Sequence, residues 1–234
     1  MSRAALGRVG VAAVVATAVM APRATLAQGN PDPARFAKEI AAFDEEDRTT
    51  PPPAGAVLFV GSSSIHYWDV AKAFPRLKTL RRGYGGSHVS DTQHYADRLI
   101  ARYQPSLVVF YAGDADVAAG KSAAAIAADT EALVRWIHEH LPRAGVVVIG
   151  TKPSPLHWAH MATIREANAR LKAALAKDAN AAYTDAESAL LGPDGQPRAD
   201  FYQENRLNLN ERGYAAWTAA LRPVIERMAA RFVR

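Results

Sequence analysis

The chain has 234 residues, of which 49% are hydrophobic, so it is long enough to bury a core, and one domain is the default expectation. Its formal net charge of +5 falls to +2 once Arg3, Arg8 and Arg23 near the amino terminus are set aside, because 25 basic residues then face 23 acidic ones. So mild a charge offers no support for a nucleic-acid partner. The absence of cysteine excludes a disulfide framework and thiolate metal sites.

The first 27 residues have the pattern of a secretory signal peptide. Arg3 and Arg8 flank the start of a small-residue apolar run over residues 9–21, and Ala-Thr-Leu-Ala at 24–27 suits signal-peptidase cleavage. The run is too short and its side chains are too small for a convincing transmembrane helix. The alternative interpretation is an uncleaved membrane anchor. We therefore expect an exported protein, periplasmic or secreted, without stable membrane insertion after cleavage.

Residues 28–55 predict an N-terminal helix followed by a Pro-rich lead-in to the main domain. Phe36, Ile40 and Phe43 recur at the spacing that places side chains on one face of a helix. Three consecutive prolines at 51–53 then end the helix, because proline lacks the backbone N–H that a helix interior needs.

The next stretch joins an apolar run to a polar turn. Residues 56–60 are continuously apolar, Gly-Ser-Ser-Ser follows at 61–64, and an amphipathic segment begins directly afterwards. This order predicts a buried strand, a tight turn and a helix start. Ser63 would then lie at the carboxyl end of a strand, where open α/β sheets place their ligand crevice. The alternative is a simple Gly-Ser turn that caps a helix.

Strands and helices alternate through the rest of the chain. Further strands are predicted at residues 77–81, 107–111, 145–150 and 181–184. Helical patterns lie between them, including 91–103 and 122–140, and a last helix runs from 211 onward. Such alternation favours a parallel sheet with helices on both faces. We expect a single α/β domain over residues 56–234, with no internal repeat and no second domain.

Four short motifs resemble sequence blocks of the SGNH (GDSL-type) hydrolases. Residues 59–65 resemble the first block, the glycine cluster ending at Gly86 the second, 111–116 the third and 204–214 the fifth. They occur in the family's order, and the resemblance covers nearly all of residues 56–234. It implies a flavodoxin-like three-layer sandwich of about five parallel strands, and ester hydrolysis by a serine nucleophile without cofactor or metal.

The resemblance also assigns roles to five positions. Ser63 matches the nucleophile, and the backbone N–H groups of Ser63 and Gly86 match two oxyanion-hole donors. The family's third donor is an asparagine side chain, and Ala115 stands in its place. The family's catalytic aspartate and histidine are replaced by Asn205 and Asn208.

These replacements remove chemistry that a serine hydrolase needs. A serine hydroxyl is a poor nucleophile until a neighbouring base takes its proton, and the neutral amide of Asn208 is not such a base. Loss of the base costs on the order of 10⁶ in turnover in triad hydrolases. Loss of one oxyanion donor costs about 10²–10³. We therefore expect an inactive or severely impaired scaffold that retains at most a ligand cleft, either a natural pseudoenzyme or a disabled version of an active parent.

A substitute base would overturn this expectation. His157 and His160 follow the fourth predicted strand and so lie at the same rim of the sheet as Ser63, while His66 and His88 lie close to it in sequence. The alternative function is therefore an active serine esterase, on acyl or carbohydrate esters, that uses Ser63 with His157 or His160. Surface or structural roles are the simpler interpretation of all four histidines.

Other residues near the rim admit either a ligand-binding or a structural role. Asp114 and Asp116 suggest a carboxylate pair, but Asp116 matches an aspartate often found in the family's third block, which favours a role in the turn. The aromatic candidates for lining an acyl or sugar pocket are Tyr67, Trp68, Tyr84 and Trp158, with ordinary packing as the alternative. We expect a small-molecule ester or acylated sugar as ligand, and the oligomeric state stays open.

Overall fold

The computed structural model describes residues 29–233 together with Met1. The expected signal peptide, residues 1–27, therefore lies outside the described residues except for Met1. Within the described part, no helix is both long enough and apolar enough to cross a membrane.

Five parallel strands form the central sheet, in the order β2-β1-β3-β4-β5. The strands are β1 (Val57–Gly61), β2 (Thr79–Gly83), β3 (Leu107–Tyr111), β4 (Gly145–Ile149) and β5 (Ala181–Thr184). This order confirms the predicted parallel α/β fold. The chain reverses its direction of winding between β2 and β3, and β1 therefore lies beside both of these strands.

Helices connect the strands and cover both faces of the sheet. They are α1 (Ala37–Thr49), α2 (Ser63–His66), α3 (Val70–Ala73), α4 (Val89–His94), α5 (Ala96–Leu99), α6 (Asp114–Ala118), α7 (Ala123–His140), α8 (Met161–Leu175), α9 (Glu187–Leu190) and α10 (Glu211–Phe232). Short 3₁₀ turns cover Pro33–Phe36, Ala101–Tyr103, Trp158–His160 and Ala199–Phe201.

Apolar side chains of each strand point alternately to two cores. Leu58 belongs to one core together with Ile137 of α7, whereas its neighbour Phe59 belongs to the other together with Trp217 and Leu221 of α10. This alternation follows from the two-residue repeat of a strand. It explains why β1, β3 and β4 are apolar throughout, since both of their faces are buried.

The amino-terminal helix packs against the same domain. Arg82 of β2 is almost fully buried and forms an ion pair with the buried Asp47 of α1. The Tyr103 hydroxyl donates to the Asp47 carboxylate at 2.7 Å, and the Arg82 Nε donates to the Tyr103 oxygen at 2.9 Å. This network fixes residues of α1 to the edge of the sheet.

Two elements differ from the sequence-based expectation. Strand β2 is displaced by two residues from the predicted 77–81, and the predicted continuous helix over 91–103 is broken into α4, α5 and a 3₁₀ turn. The chain leaves helical geometry at Ile100, where φ is −129° and ψ is −65°. Tyr95 is also held by a hydrogen bond to the Pro33 carbonyl at 3.0 Å, a long-range contact that local helical periodicity does not report.

The end of β1 lies unusually close to the end of β3. Gly61 has a φ of +136°, and a Cβ atom at this position would lie 1.9 Å from the Tyr111 carbonyl oxygen. The next residue, Ser62, donates its N–H to that same oxygen at 2.9 Å. Only glycine combines this backbone conformation with so close an approach. Ser63 therefore follows immediately at the carboxyl end of the sheet.

We predict that Gly61→Ala lowers the free energy of unfolding by about 4 kcal/mol or more, because the added methyl group meets backbone that cannot move away. The matched control is Gly120→Ala. Gly120 also has a positive φ, +79°, but a methyl group added there would meet no atom within 4 Å. Gly120→Ala should lower the free energy of unfolding by about 1–2 kcal/mol, because only the unfavourable positive φ of alanine contributes there. Urea denaturation measures both, and equal losses would contradict the steric explanation.

Candidate active site

Ser63 lies beside the glycine turn that follows β2. It is the first residue of α2 and is 9% exposed. A Cβ atom on Gly85 would lie 3.9 Å from the Ser63 Cβ, so the two turns are in contact. Gly86 has a φ of +78° and faces open space. Within the described residues, the N–H groups of Ser63 and Gly86 donate to no protein acceptor, so both remain available to an anion.

The third turn brings Ala115 to the same edge of the sheet. Gly113, with a φ of +120°, packs so tightly that a Cβ there would lie 2.2 Å from the Thr151 Oγ1. Ala115 follows in the first turn of α6 and is half-buried. Its methyl group has no donor to offer an oxyanion. The two backbone N–H groups are therefore left without the side-chain donor that the family resemblance implies.

The remaining two positions lie in a short loop between Tyr202 and Leu209, which are paired by an isolated antiparallel bridge. Asn205 is exposed, and its Oδ1 accepts hydrogen bonds from the N–H groups of Leu207 at 3.1 Å and Asn208 at 3.0 Å. Asn205 thus stabilises the loop itself. We call residues 203–208 the Asn208 loop.

Asn208 is buried, with 7% of its surface exposed. Its backbone carbonyl accepts from the Gln203 N–H at 2.8 Å, but its side-chain Oδ1 has no hydrogen-bond partner among the described residues. No hydrogen bond joins the Asn208 Oδ1 to Ser63 there. A buried amide oxygen without a partner costs free energy, which makes it a ready acceptor for water or a ligand.

None of the four candidate histidines hydrogen-bonds to Ser63 within the described residues. The His66 Nδ1 lies 3.1 Å from the Gly83 carbonyl, and the His88 Nδ1 lies 3.3 Å from the Asp116 carboxylate. His160 is exposed. His157 is half-buried, and its backbone N–H donates to the Ser154 Oγ at 3.2 Å.

The surroundings of His157 shift the pKa of its imidazole. Burial lowers the pKa of its imidazole, and the nearby charges of Lys152 and His160 act in the same direction, while Asp114 opposes them. A lowered pKa favours the neutral form of the ring, which a general base requires. No hydrogen bond to the Ser63 hydroxyl accompanies this property in the described part of the chain.

A buried charged pair close to the site was not singled out by sequence reasoning. The Tyr111 hydroxyl donates to the Asp114 carboxylate at 2.6 Å, and the Lys152 Nζ lies 3.4 Å from the same oxygen. Burial lowers the pKa of Lys152, although Asp114 counteracts this, and burial beside Asp114 raises the pKa of Tyr111. The sequence positions of Asp114 and Lys152 could have indicated this pair, because each residue follows a strand whose carboxyl end lies at this edge.

Asp116 belongs to a separate cluster and does not pair with Asp114. One Asp116 oxygen accepts from the Lys121 Nζ at 2.8 Å, and the other accepts from the Val89 N–H at 3.1 Å. Burial alone would raise the pKa of Asp116, but the contacts with His88 and Lys121 hold it below its usual value. The cluster ties the turn that carries Gly86 to the helix that carries Ala115. Among the described residues, no group of three or more potential metal ligands occurs.

The aromatic candidates divide into two groups. Trp68 and Tyr84 are 1% and 2% exposed and pack in the two cores. Tyr67 is half exposed, and Trp158 is half-buried at the surface. A further aromatic residue that sequence reasoning did not identify, Tyr214 of α10, donates its hydroxyl to the Ser64 carbonyl at 2.9 Å and so holds the serine turn in place.

We predict that Asp116→Asn lowers stability at pH 7 by about 3 kcal/mol, because Lys121 loses a buried counter-charge. A lowered carboxylate pKa contributes stability above the unfolded-state pKa, and that contribution is lost as the pH falls through the folded-state value. The difference from the parent protein should therefore shrink toward low pH. Thermal denaturation over a pH series measures this.

The matched control for this prediction is Asp129→Asn, which removes the more exposed partner of Lys121. It should cost about 1 kcal/mol or less, as expected for a solvent-screened pair. A loss of stability in Asp116→Asn, relative to the parent protein, that stays constant across the pH series would contradict an ionised Asp116 carboxylate with a lowered pKa.

Comparison with known proteins identifies the family. Residues 62–216 match the model of the GDSL-like Lipase/Acylhydrolase family. The chain is 30% identical over 185 residues to the platelet-activating factor acetylhydrolase IB subunit alpha1 of Bos taurus, covering 74% of this chain and 75% of the relative.

Solved structures share the fold at low sequence identity. A GDSL-like lipase from Bacteroides thetaiotaomicron is 18% identical with a TM-score of 0.67, over 84% of this chain and 98% of that one. An acetyl-xylooligosaccharide esterase from Geobacillus Stearmophilus is 15% identical with a TM-score of 0.59, over 74% and 95% of the two chains. With the site geometry described above, these matches show that the chain belongs to the GDSL-like lipase/acylhydrolase (SGNH hydrolase) family.

Proposed function

We propose that this protein is an SGNH/GDSL hydrolase scaffold that binds an ester ligand but hydrolyses it extremely slowly or not at all. The observation that carries the proposal is the buried amide of Asn208, which stands where the family has its catalytic histidine and whose oxygen has no hydrogen bond to Ser63. The serine turn and both backbone donors are retained, so an ester carbonyl can still be received. No imidazole stands at this position to take the Ser63 proton.

Short acyl esters are the ligand class that we favour. One relative is named as an acetylhydrolase and one structural neighbour as an acetyl-xylooligosaccharide esterase, so acetyl removal recurs among proteins similar to this chain. An acylated sugar or another small acetyl ester is therefore the proposed ligand. The amino-terminal signal pattern leads us to propose that this ligand is met outside the cytoplasm.

Restoring the family residues should restore hydrolysis. The parent protein should show no turnover of 4-nitrophenyl acetate above a Ser63→Ala control. The triple variant Ala115→Asn, Asn205→Asp, Asn208→His should gain at least about 10³-fold, because it recovers both a base and an oxyanion donor. Asn208→His alone should give much less, since the residues of a triad act as a unit.

Two outcomes would contradict this proposal. Clear turnover by the parent protein that disappears in Ser63→Ala would show that a base is already present. A folded triple variant without turnover would show that more than these three groups has been lost. Circular dichroism and thermal denaturation of every variant separate loss of chemistry from loss of structure.

The second candidate function is a working esterase that uses His157 as base, favoured by the half-buried position of this imidazole and by its lowered pKa. In that case His157→Gln would abolish parent turnover, whereas His160→Gln, which changes an exposed neighbour, would leave most of it. We expect instead that neither change is detectable, because there is no Ser63-dependent turnover to lose. Stopped-flow measurement of ester hydrolysis by the three proteins decides between these outcomes.

A further inference from the structure

A short segment near the amino terminus packs against the turn that carries Gly86. We call the 3₁₀ turn Pro33–Phe36 the amino-terminal strap and residues 84–88 the Gly86 turn. The strap precedes residues 62–216, which match the family model. It is joined to residues 84–95 by three contacts, namely Phe36 with Tyr84, Arg35 with Asp91, and the Tyr95 hydroxyl with the Pro33 carbonyl.

Tyr84 fixes the start of the Gly86 turn. Its N–H donates to the Gly61 carbonyl at 3.0 Å, and its own carbonyl accepts from the Ser87 hydroxyl at 3.1 Å. The buried Tyr84 ring meets the Phe36 ring edge to face, with centroids 4.9 Å apart. Aromatic pairs favour this arrangement. Phe36 therefore packs on the residue that begins the Gly86 turn.

Asp91 fixes the end of the same turn. One of its carboxylate oxygens accepts from the His88 N–H at 2.8 Å and also forms an ion pair with the Arg35 guanidinium. The Asp91 side chain is 1% exposed, and its other oxygen has no hydrogen-bond partner among the described residues. So deeply buried a carboxylate depends on its counter-charge.

Arg35 favours the ionised form of Asp91. Burial raises the pKa of this carboxyl group, whereas the His88 N–H and the Arg35 guanidinium oppose the rise. An ionised acceptor binds an N–H group more strongly than a neutral one. The charge of Arg35 therefore strengthens the hydrogen bond that holds His88, the last residue of the Gly86 turn.

Part of the support for the turn does not depend on the strap. Asp116 of α6 accepts from the Val89 N–H at 3.1 Å and lies 3.3 Å from the His88 Nδ1. These contacts should keep the Gly86 turn in place after a change in the strap. We therefore expect such a change to displace the Gly86 N–H rather than to remove it from the site.

We propose that Arg35 and Phe36 are positioning residues, which hold the two ends of the Gly86 turn and so set the direction of the Gly86 N–H. They act through Asp91 and Tyr84. This inference rests on the proposed function, because it takes the Gly86 N–H as a donor to the carbonyl of a bound ester. It goes further in giving a segment outside the family match a role in the site.

The amide resonance of Gly86 in the isotope-labelled parent protein tests the role of Arg35 without any need for turnover. Arg35→Gln should shift this resonance, and Arg35→Lys, which keeps the positive charge, should shift it less. The matched control is Arg98→Gln, which breaks the ion pair between Arg98 of α5 and Asp44 of α1. This pair joins the amino-terminal region to the domain at a different place, so its loss should leave the Gly86 resonance unchanged.

The same resonance tests the role of Phe36. Phe36→Leu keeps an apolar side chain but removes the edge-to-face contact with Tyr84, and it should shift the Gly86 resonance. The matched control is Phe43→Leu, because Phe43 of α1 packs against the same core as Phe36. This control should leave the Gly86 resonance in place.

Kinetics of the triple variant Ala115→Asn, Asn205→Asp, Asn208→His test the consequence for an oxyanion. Adding Arg35→Gln should lower its kcat for 4-nitrophenyl acetate about tenfold, less than the 10²–10³ lost with a whole donor, because the donor is displaced but present. The KM should stay within about twofold, since the interaction is made mainly in the transition state. Arg35→Lys should recover most of the kcat, and Arg98→Gln should leave it unchanged.

Two results would overturn the positioning roles. One is a Gly86 resonance that responds no more to Arg35→Gln and Phe36→Leu than to their matched controls. The other is an active triple variant in which Arg35→Gln lowers the melting temperature but not kcat, since that would leave Arg35 a structural role alone. Failure of the proposed function is recognised separately, as absent turnover by the triple variant itself, and the resonance of the parent protein then still decides the roles of the strap.

Discussion

The close approach of β1 to β3 is the constraint on which the site depends. At Gly61 the backbone passes so near the Tyr111 carbonyl that no side chain fits, and the Ser62 N–H bonds to that carbonyl. Ser63 therefore lies at the carboxyl edge of the sheet, at the start of α2. The turns that carry Gly86 and Ala115 follow the two strands on either side of β1, so Ser63, Gly86 and Ala115 lie at the same edge.

Several contacts hold the turns of the candidate site in place independently of the proposed loss of catalysis. Asp116 still joins the turn after β2 to α6, and Tyr214 still holds the serine turn through the Ser64 carbonyl. Asn205 carries no charge, but its side chain stabilises the loop that carries Asn208. On the proposed function, structure and catalysis are separable here, because different groups on the same loops supply them.

The sequence predicts most of the sheet because local patterns report it, and the positions of the candidate site follow from the family resemblance. The run 107–111 is apolar throughout since β3 is buried on both faces, and Gly61 is required by the close approach of the backbone to Tyr111. Long-range polar contacts have no such pattern. The Arg82–Asp47 pair, the bond from Tyr95 to Pro33 that accompanies the break in the helix over 91–103, and the buried Lys152–Asp114 pair all join residues distant in sequence.

The central claim, that Ser63 is positioned but not activated, is tested most directly by covalent labelling with a fluorophosphonate. This reagent phosphonylates a serine only when a neighbouring base increases its nucleophilicity. Intact-mass spectrometry should find the parent protein unlabelled. Under the same conditions, Ser63 of the triple variant Ala115→Asn, Asn205→Asp, Asn208→His should be labelled stoichiometrically. Stoichiometric phosphonylation of Ser63 in the parent protein would contradict the account.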